Sequence, residues 1–283
     1  MKKTKRLAVL LTAVLACGAM AFSACSNGDN NGGNNSGIID NNIGNNNDTG
    51  NNDVVIQVTK DEWIERFAMF DNCDNITMYE GGYSRYPKDK AEEYGHWSSG
   101  GGATLFDFKS QIRCDILDLE RYDPDDINAV NGFVKESYIE YAFCYNNHYF
   151  TWREDEGIYE ISQEDFQNDF ECLKETLQDF ASFANEEFYE KATYFEPLNI
   201  YMFEVWNKYS EEYGTAFIQF LKNGGIKSPA LSQEELDDYY DGFYSDYDDY
   251  YGEDIFYNIN STTVTVPAQA YKDADEYLAK KGE

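Results

Sequence analysis

Three stretches of this chain place apolar residues at helical spacing, and eight others read as strands. The first helix opens at Thr59, where Thr59 and Glu62 have capping-box spacing and Trp63, Phe67 and Phe70 form one apolar face. Strand-like segments follow at 76–86, 103–119, 137–145 and 148–161, with Asn146-Asn147 as a tight hairpin turn between the last two. A glycine-rich loop at 100–102 and the pair Asn131-Gly132 punctuate them. Ser162 and Asp165 begin a second helix, whose Phe166, Phe170, Leu173, Leu177, Phe180 and Ala184 recur along a core-facing stripe. Further strands are expected at 188–195, 200–206 and 215–221, the last turned back by Asn223-Gly224-Gly225. A final strand at 255–266 stops at Pro267, and a short helix with Tyr271, Ala274 and Leu278 on one side closes the chain. Strands grouped between helices predict an α+β domain over 54–283, with an antiparallel sheet packed on two or three helices. VTKDEW at 58–63 and ISQEDF at 161–166 look alike, but LSQEEL at 231–236 repeats the pattern a third time, so convergence on good caps explains it better than duplication.

The first 53 residues follow a different pattern. Lys2, Lys3, Lys5 and Arg6 precede an uncharged apolar run from Leu7 to Phe22, and Ser23-Ala24-Cys25 then leads into polar residues. This is the layout of a bacterial secretion signal over 1–24, of the type in which the cysteine is acylated and becomes the first mature residue. Cys25 is therefore the expected lipidation site, and the membrane the expected partner of its acyl chains. Phe22 departs from the leucine such motifs usually carry. Cys17 is a rival, but cleavage there leaves apolar Ala19–Phe22 on the mature end. Residues 27–53 contain 12 Asn and 6 Gly, too little apolar surface to offset ordering entropy. With Cys25 they are expected to form a flexible tether (25–53) with a reach of roughly 30 Å. The expected location is lipid-anchored at the cell membrane, on its extracytoplasmic side.

Charge narrows the partners. The formal net charge is −31, and removal of the four leader cations takes it to −35. Such a surface repels nucleic acid and suits a cationic partner or a divalent metal. The acids concentrate at 234–254, which hold ten acids and six tyrosines, and the stretch 232–254 reads as a solvated acidic loop. Asp237, Asp241 and Gly242 fall at calcium-loop positions, but Tyr239 and Asp248 break the pattern. Cys73, Cys114, Cys144 and Cys172 allow up to two disulfides outside the cytoplasm, yet they sit in separate elements and read first as buried thiols. The two histidines, His96 and His148, have no evident nucleophile or acid partner, no nucleophile elbow occurs, and Ser98–Gly102 lacks the ending of a phosphate loop. Neither catalytic residues, nor a metal, nor a cofactor are expected.

Three features together resemble a family: the Trp-bearing helix soon after a lipoprotein tether, the segment Phe220-Leu221-Lys222-Asn223-Gly224-Gly225-Ile226, and Asn260-Ser261-Thr262-Thr263-Val264-Thr265-Val266-Pro267. The chain resembles uncharacterised Gram-positive lipoproteins related to the lipoprotein-localisation-factor fold. That resemblance implies a curved antiparallel sheet, an open half-barrel around helices, with a concave face able to hold acyl chains; the acidic insertion before the last strand departs from it. Tyr138, Tyr159, Tyr201, Phe203, Phe217 and Phe220 are candidates to line such a face, or equally to pack on the helices and leave no cavity. Two non-catalytic functions follow. One is a binding protein for a hydrophobic or lipid ligand; the other is a surface module contacting protein or cell-wall glycan through exposed tyrosines and acids. A secreted enzyme, with His96 or a carboxylate pair in a cleft, is the third and weakest.

Overall fold

The computed structural model describes residues 55–84, 88–94, 97–207, 212–228 and 250–282. The lipidation site Cys25, the tether, His96 and the acidic positions 229–249 lie outside the described residues.

The strands are β1 (Val55–Ile56), β2 (Asn75–Ser84), β3 (Ser98–Asp107), β4 (Ile112–Tyr122), β5 (Phe133–Tyr145), β6 (His148–Arg153), β7 (Gly157–Ile161), β8 (Thr193–Phe195), β9 (Ile200–Asn207), β10 (Glu212–Leu221), β11 (Ile226–Ser228) and β12 (Tyr250–Tyr257). The main helices are α1 (Lys60–Ala68), α2 (Gln163–Ala181), α3 (Glu186–Lys191) and α4 (Ala268–Lys281). The strands form one antiparallel sheet in the order β7-β6-β5-β4-β3-β2-β12-β11-β10-β9-β8, with β1 added to β10. Two meanders, β2 to β7 and β8 to β12, thus meet edge to edge at β2 and β12, where Thr77 opposes Tyr257 and Ser84 opposes Tyr250.

Alternation along the strands separates two cores. On one face α1 and α2 press Trp63, Phe67, Phe166, Phe170 and Phe180 against Ile76, Phe106, Phe203, Ile218, Phe220 and Phe256. On the other, Val266 and α4 residues Ala270, Ala274 and Leu278 pack on Leu105, Cys114, Tyr141, Phe143, Phe150 and Trp152. Each large side chain so buried contributes about 1.5–3 kcal/mol. The caps read from sequence are formed: Thr59 and Glu62 make a reciprocal capping box, and the Ser162 hydroxyl accepts from the Asp165 amide. Asn146 and Asn147, both at positive φ, make the β5–β6 turn.

Several expected boundaries are corrected. The stretch 103–119 is a hairpin, because Asp107 Oδ1 accepts the Lys109 and Ser110 amides and Gln111 takes a φ of 53°. The stretch 148–161 likewise turns before Gly157, whose φ is 86°. Residues 188–195 begin as helix, since Asn185 caps α3 and Glu186 and Glu187 suit its first turn. Strand β12 ends at Tyr257, and Asn258 and Asn260 at positive φ lead the chain out to α4. Ala184 falls beyond the end of α2. Tyr250–Asp254, expected in the acidic loop, belong to β12. The glycines at 100–102 are not a loop but mid-strand: Gly100 opposes Gly82 and Gly101 opposes Gly81. A Cβ on Gly101 would lie 2.3 Å from the Glu80 carbonyl oxygen, so only glycine allows this pairing.

Candidate functional site

The six aromatic candidates do not converge. Tyr201 and Phe203 on β9 and Phe220 on β10 are brought together, each with its ring centroid 5.4 Å from that of Trp63. Trp63 is fully buried and donates its indole N–H to the Phe183 carbonyl at 2.8 Å. The Tyr201 hydroxyl accepts from the Val58 amide at 2.9 Å and donates to the Val58 carbonyl at 3.0 Å, which fastens the chain entering α1 onto the sheet. The space these three rings border is therefore occupied by α1. Phe217 sits on the opposite face, in a small cluster with Ile200 against Phe195, Leu198 and Met202. Tyr138 on β5 is half-buried with the Arg153 guanidinium 4.2 Å from its ring centroid, and burial raises its hydroxyl to about 12. Tyr159, on edge strand β7, is 54% exposed.

Beyond the apolar core, the face that carries α1 and α2 holds a charged cluster. Register aligns Thr104, Asp115, Glu140 and Arg153 in one row across β3 to β6. Arg113, one position back on the same face, is buried among three carboxylates: Nε is 2.8 Å from Asp115, Nη2 is 3.8 Å from Glu140, and Nη1 pairs with Asp169 of α2. Burial raises the Glu140 and Asp169 carboxyls; Asp115 adds to this at both, while Arg113 opposes it. Arg113 itself is desolvated, but its three partners outweigh that and hold it above its ordinary value. Thr104 donates to Asp115 at 2.9 Å. These carboxylates are engaged by guanidinium groups, and the cluster ties α2 to the sheet. Among the described residues, no group of three or more His, Cys, Asp or Glu side chains is arranged to hold a metal ion.

His148 is a second tie. Its Nδ1 lies 2.8 Å from Glu160, which also takes Lys281 Nζ at 2.7 Å, so the end of α4 is pinned to β7. Those two partners, Lys281 first, lower the Glu160 carboxyl to about 2. Cys73, Cys114 and Cys144 are free, as expected. Burial raises Cys114 to about 12 and Cys73 to about 11, well above a reactive thiol.

One surface feature escaped sequence reasoning. Trp206 and Tyr213 face each other across β9 and β10, with centroids 5.0 Å apart, and are 52% and 63% exposed. The signal was present in the alternation of β9, since Tyr201, Phe203 and Val205 point to the core and Trp206 must then point away. The pair lies on the face opposite α1 and α2, in line with Thr215, Glu204, Phe217 and Met202. No protein-family model matches the chain, and a search of curated proteins finds no significant relative.

Proposed function

We propose that this is a non-catalytic binding module, held by a lipidated Cys25 on the extracytoplasmic side of the membrane, that contacts cell-wall glycan. In this reading the sheet curls as a half-barrel around α1 and α2, but its interior is a filled core rather than a lipid chamber. The observation that carries the reading is the position of Trp63, which fills the space bordered by Tyr201, Phe203 and Phe220 that an acyl chain would need. Binding then falls to the outside, where Trp206 and Tyr213 offer two wet aromatic rings of the kind enriched at interfaces. Flat rings stack on the C–H face of a pyranose, and Glu204 and Thr215 alongside can hydrogen-bond its hydroxyls.

Co-sedimentation of the soluble domain with insoluble cell-wall sacculi tests this. Wild type should pellet with the wall, and Trp206→Ala combined with Tyr213→Ala should remain in the supernatant with an unchanged circular dichroism spectrum. Equal pelleting of both proteins would refute the aromatic contact. Loss of wild-type pelleting after protease treatment of the sacculi would point to a protein partner instead.

A further inference from the structure

A second aromatic cluster lies at the start of β3, remote from Trp206, and it already holds a cation. Trp97, immediately before β3, and Phe133, at the start of β5, meet edge to face with centroids 5.6 Å apart. Tyr122 packs on Phe133 at 5.3 Å. The Nζ of Lys88, in the short helical turn Lys88–Lys90, is 4.9 Å from the Trp97 centroid and 4.5 Å from that of Phe133. It is also 2.5 Å from Glu120 Oε2. Two ring faces and a carboxylate surrounding one ammonium have the composition of the cages that recognise alkylated ammonium groups.

The frame is built by the sheet, not by Lys88. Tyr122 and Phe133 are direct cross-strand partners, and the Tyr122 amide donates to the Trp97 carbonyl at 2.7 Å. Gly132 leaves room for the Tyr122 ring, since a Cβ there would come within 2.6 Å of its Cε2. Glu120 sits opposite Lys135 in the same ladder. Lys88 itself reaches in from outside the sheet, and its side chain is 45% exposed. A cation held over rings at such an exposed place is worth only about 0.5–1 kcal/mol, so it is displaceable. A quaternary ammonium group matches the frame better than the primary amine does. It has no N–H donors left to satisfy, it sheds water more readily, and its methyl groups cover more of both rings. The acidic surface favours its approach.

We infer that Trp97, Phe133 and Glu120 form a binding site for a quaternary ammonium group of the choline type, closed in the free protein by the ammonium of Lys88. The inference does not depend on the glycan reading. An internal occupant held by about 0.5–1 kcal/mol fills the site about seven- to eight-tenths of the time and weakens the apparent affinity of a competitor about three- to sixfold.

The test titrates choline chloride into wild type, Lys88→Ala and Lys88→Ala/Trp97→Leu, following backbone amide shifts of Glu120 and Phe133 against sodium chloride at matched ionic strength. Saturable shifts are expected in Lys88→Ala, with an apparent Kd about three- to sixfold below that of wild type. The double variant should show none. Phosphatidylcholine vesicles form the second arm: binding to these as well as to free choline would identify a lipid headgroup as a source. A folded Lys88→Ala protein with no saturable choline shift, or one unaffected by loss of Trp97, overturns the inference. If Lys88→Ala unfolds, Lys88→Gln carries the titration; unfolding of both would make Lys88 a structural cation and overturn it equally.

Discussion

Replacing Trp63 probes the closure of the core directly. Its ring is fully buried against Phe67 at 4.9 Å, Tyr201, Phe203 and Phe220 at 5.4 Å, and Tyr189 at 5.9 Å. Truncating such a residue to alanine costs about 3–5 kcal/mol in lost transfer energy and cavity formation. It also strips the Phe183 carbonyl of its donor, a penalty of about 1–3 kcal/mol where water cannot replace it. Trp63→Phe isolates much of the second effect and should cost about 2 kcal/mol. Trp63→Ala should cost about 4.5 kcal/mol or more, a large share of the roughly 5–15 kcal/mol available to a domain. Urea unfolding followed by circular dichroism reads this as a midpoint lowered by about 1.5 M at a slope near 3 kcal/mol/M. Indole should recover part of the loss by filling the vacated space. A Trp63→Ala penalty below about 1 kcal/mol would mean that the space is already open to water or ligand, and the argument for a filled interior would fail.

Other perturbations test the remaining links. Arg113→Ala leaves Asp115, Glu140 and Asp169 facing one another without their buried cation and should cost about 3–5 kcal/mol at neutral pH. That penalty should shrink on acidification, because Glu140 and Asp169 already titrate above the usual carboxylate range; equal penalties at neutral and mildly acid pH would contradict the assignment. Glu160 behaves in the opposite sense. Its folded carboxyl is lowered from 4.5 to about 2, so its stabilising contribution is complete above pH 4.5 and lost as the pH falls toward 2. Glu160→Gln should remove that part of the acid-unfolding curve, and a superimposable curve would show that the contacts to Lys281 and His148 carry no net stability. Gly101→Ala forces a Cβ against the Glu80 carbonyl and should cost about 3 kcal/mol or prevent folding, whereas full stability in thermal melts would refute the close approach of β2 and β3.

The parts of the fold legible in the sequence are those decided by neighbouring residues. Thr59 with Glu62, Ser162 with Asp165, and Asn146-Asn147 each determine a helix start or turn within four residues of chain. The apolar stripe of α2 was equally readable, because helical periodicity is a local property. The turn after Asp107 was not, since it contains Lys109, Ser110 and Gln111 rather than glycine or proline and depends on one side chain accepting two amides. The glycines at 100–102 misled for the converse reason. Glycine suits a loop, but here it serves the close approach of Glu80 and Asp118 backbones from neighbouring strands, which no local pattern encodes. The edge-to-edge joining of β2 to β12 is likewise non-local. Tyr201, Phe203 and Phe220 come together around Trp63, but alternation alone cannot say whether a ligand or a tryptophan occupies the space between them.

Native mass spectrometry of the soluble domain beginning at Asp53, purified without detergent and then incubated with membrane lipids that carry no choline headgroup, tests the central claim most directly. A single apo mass before and after incubation is the result the filled core predicts. An adduct of lipid mass, removed by organic extraction and restored on adding lipid back, would contradict it.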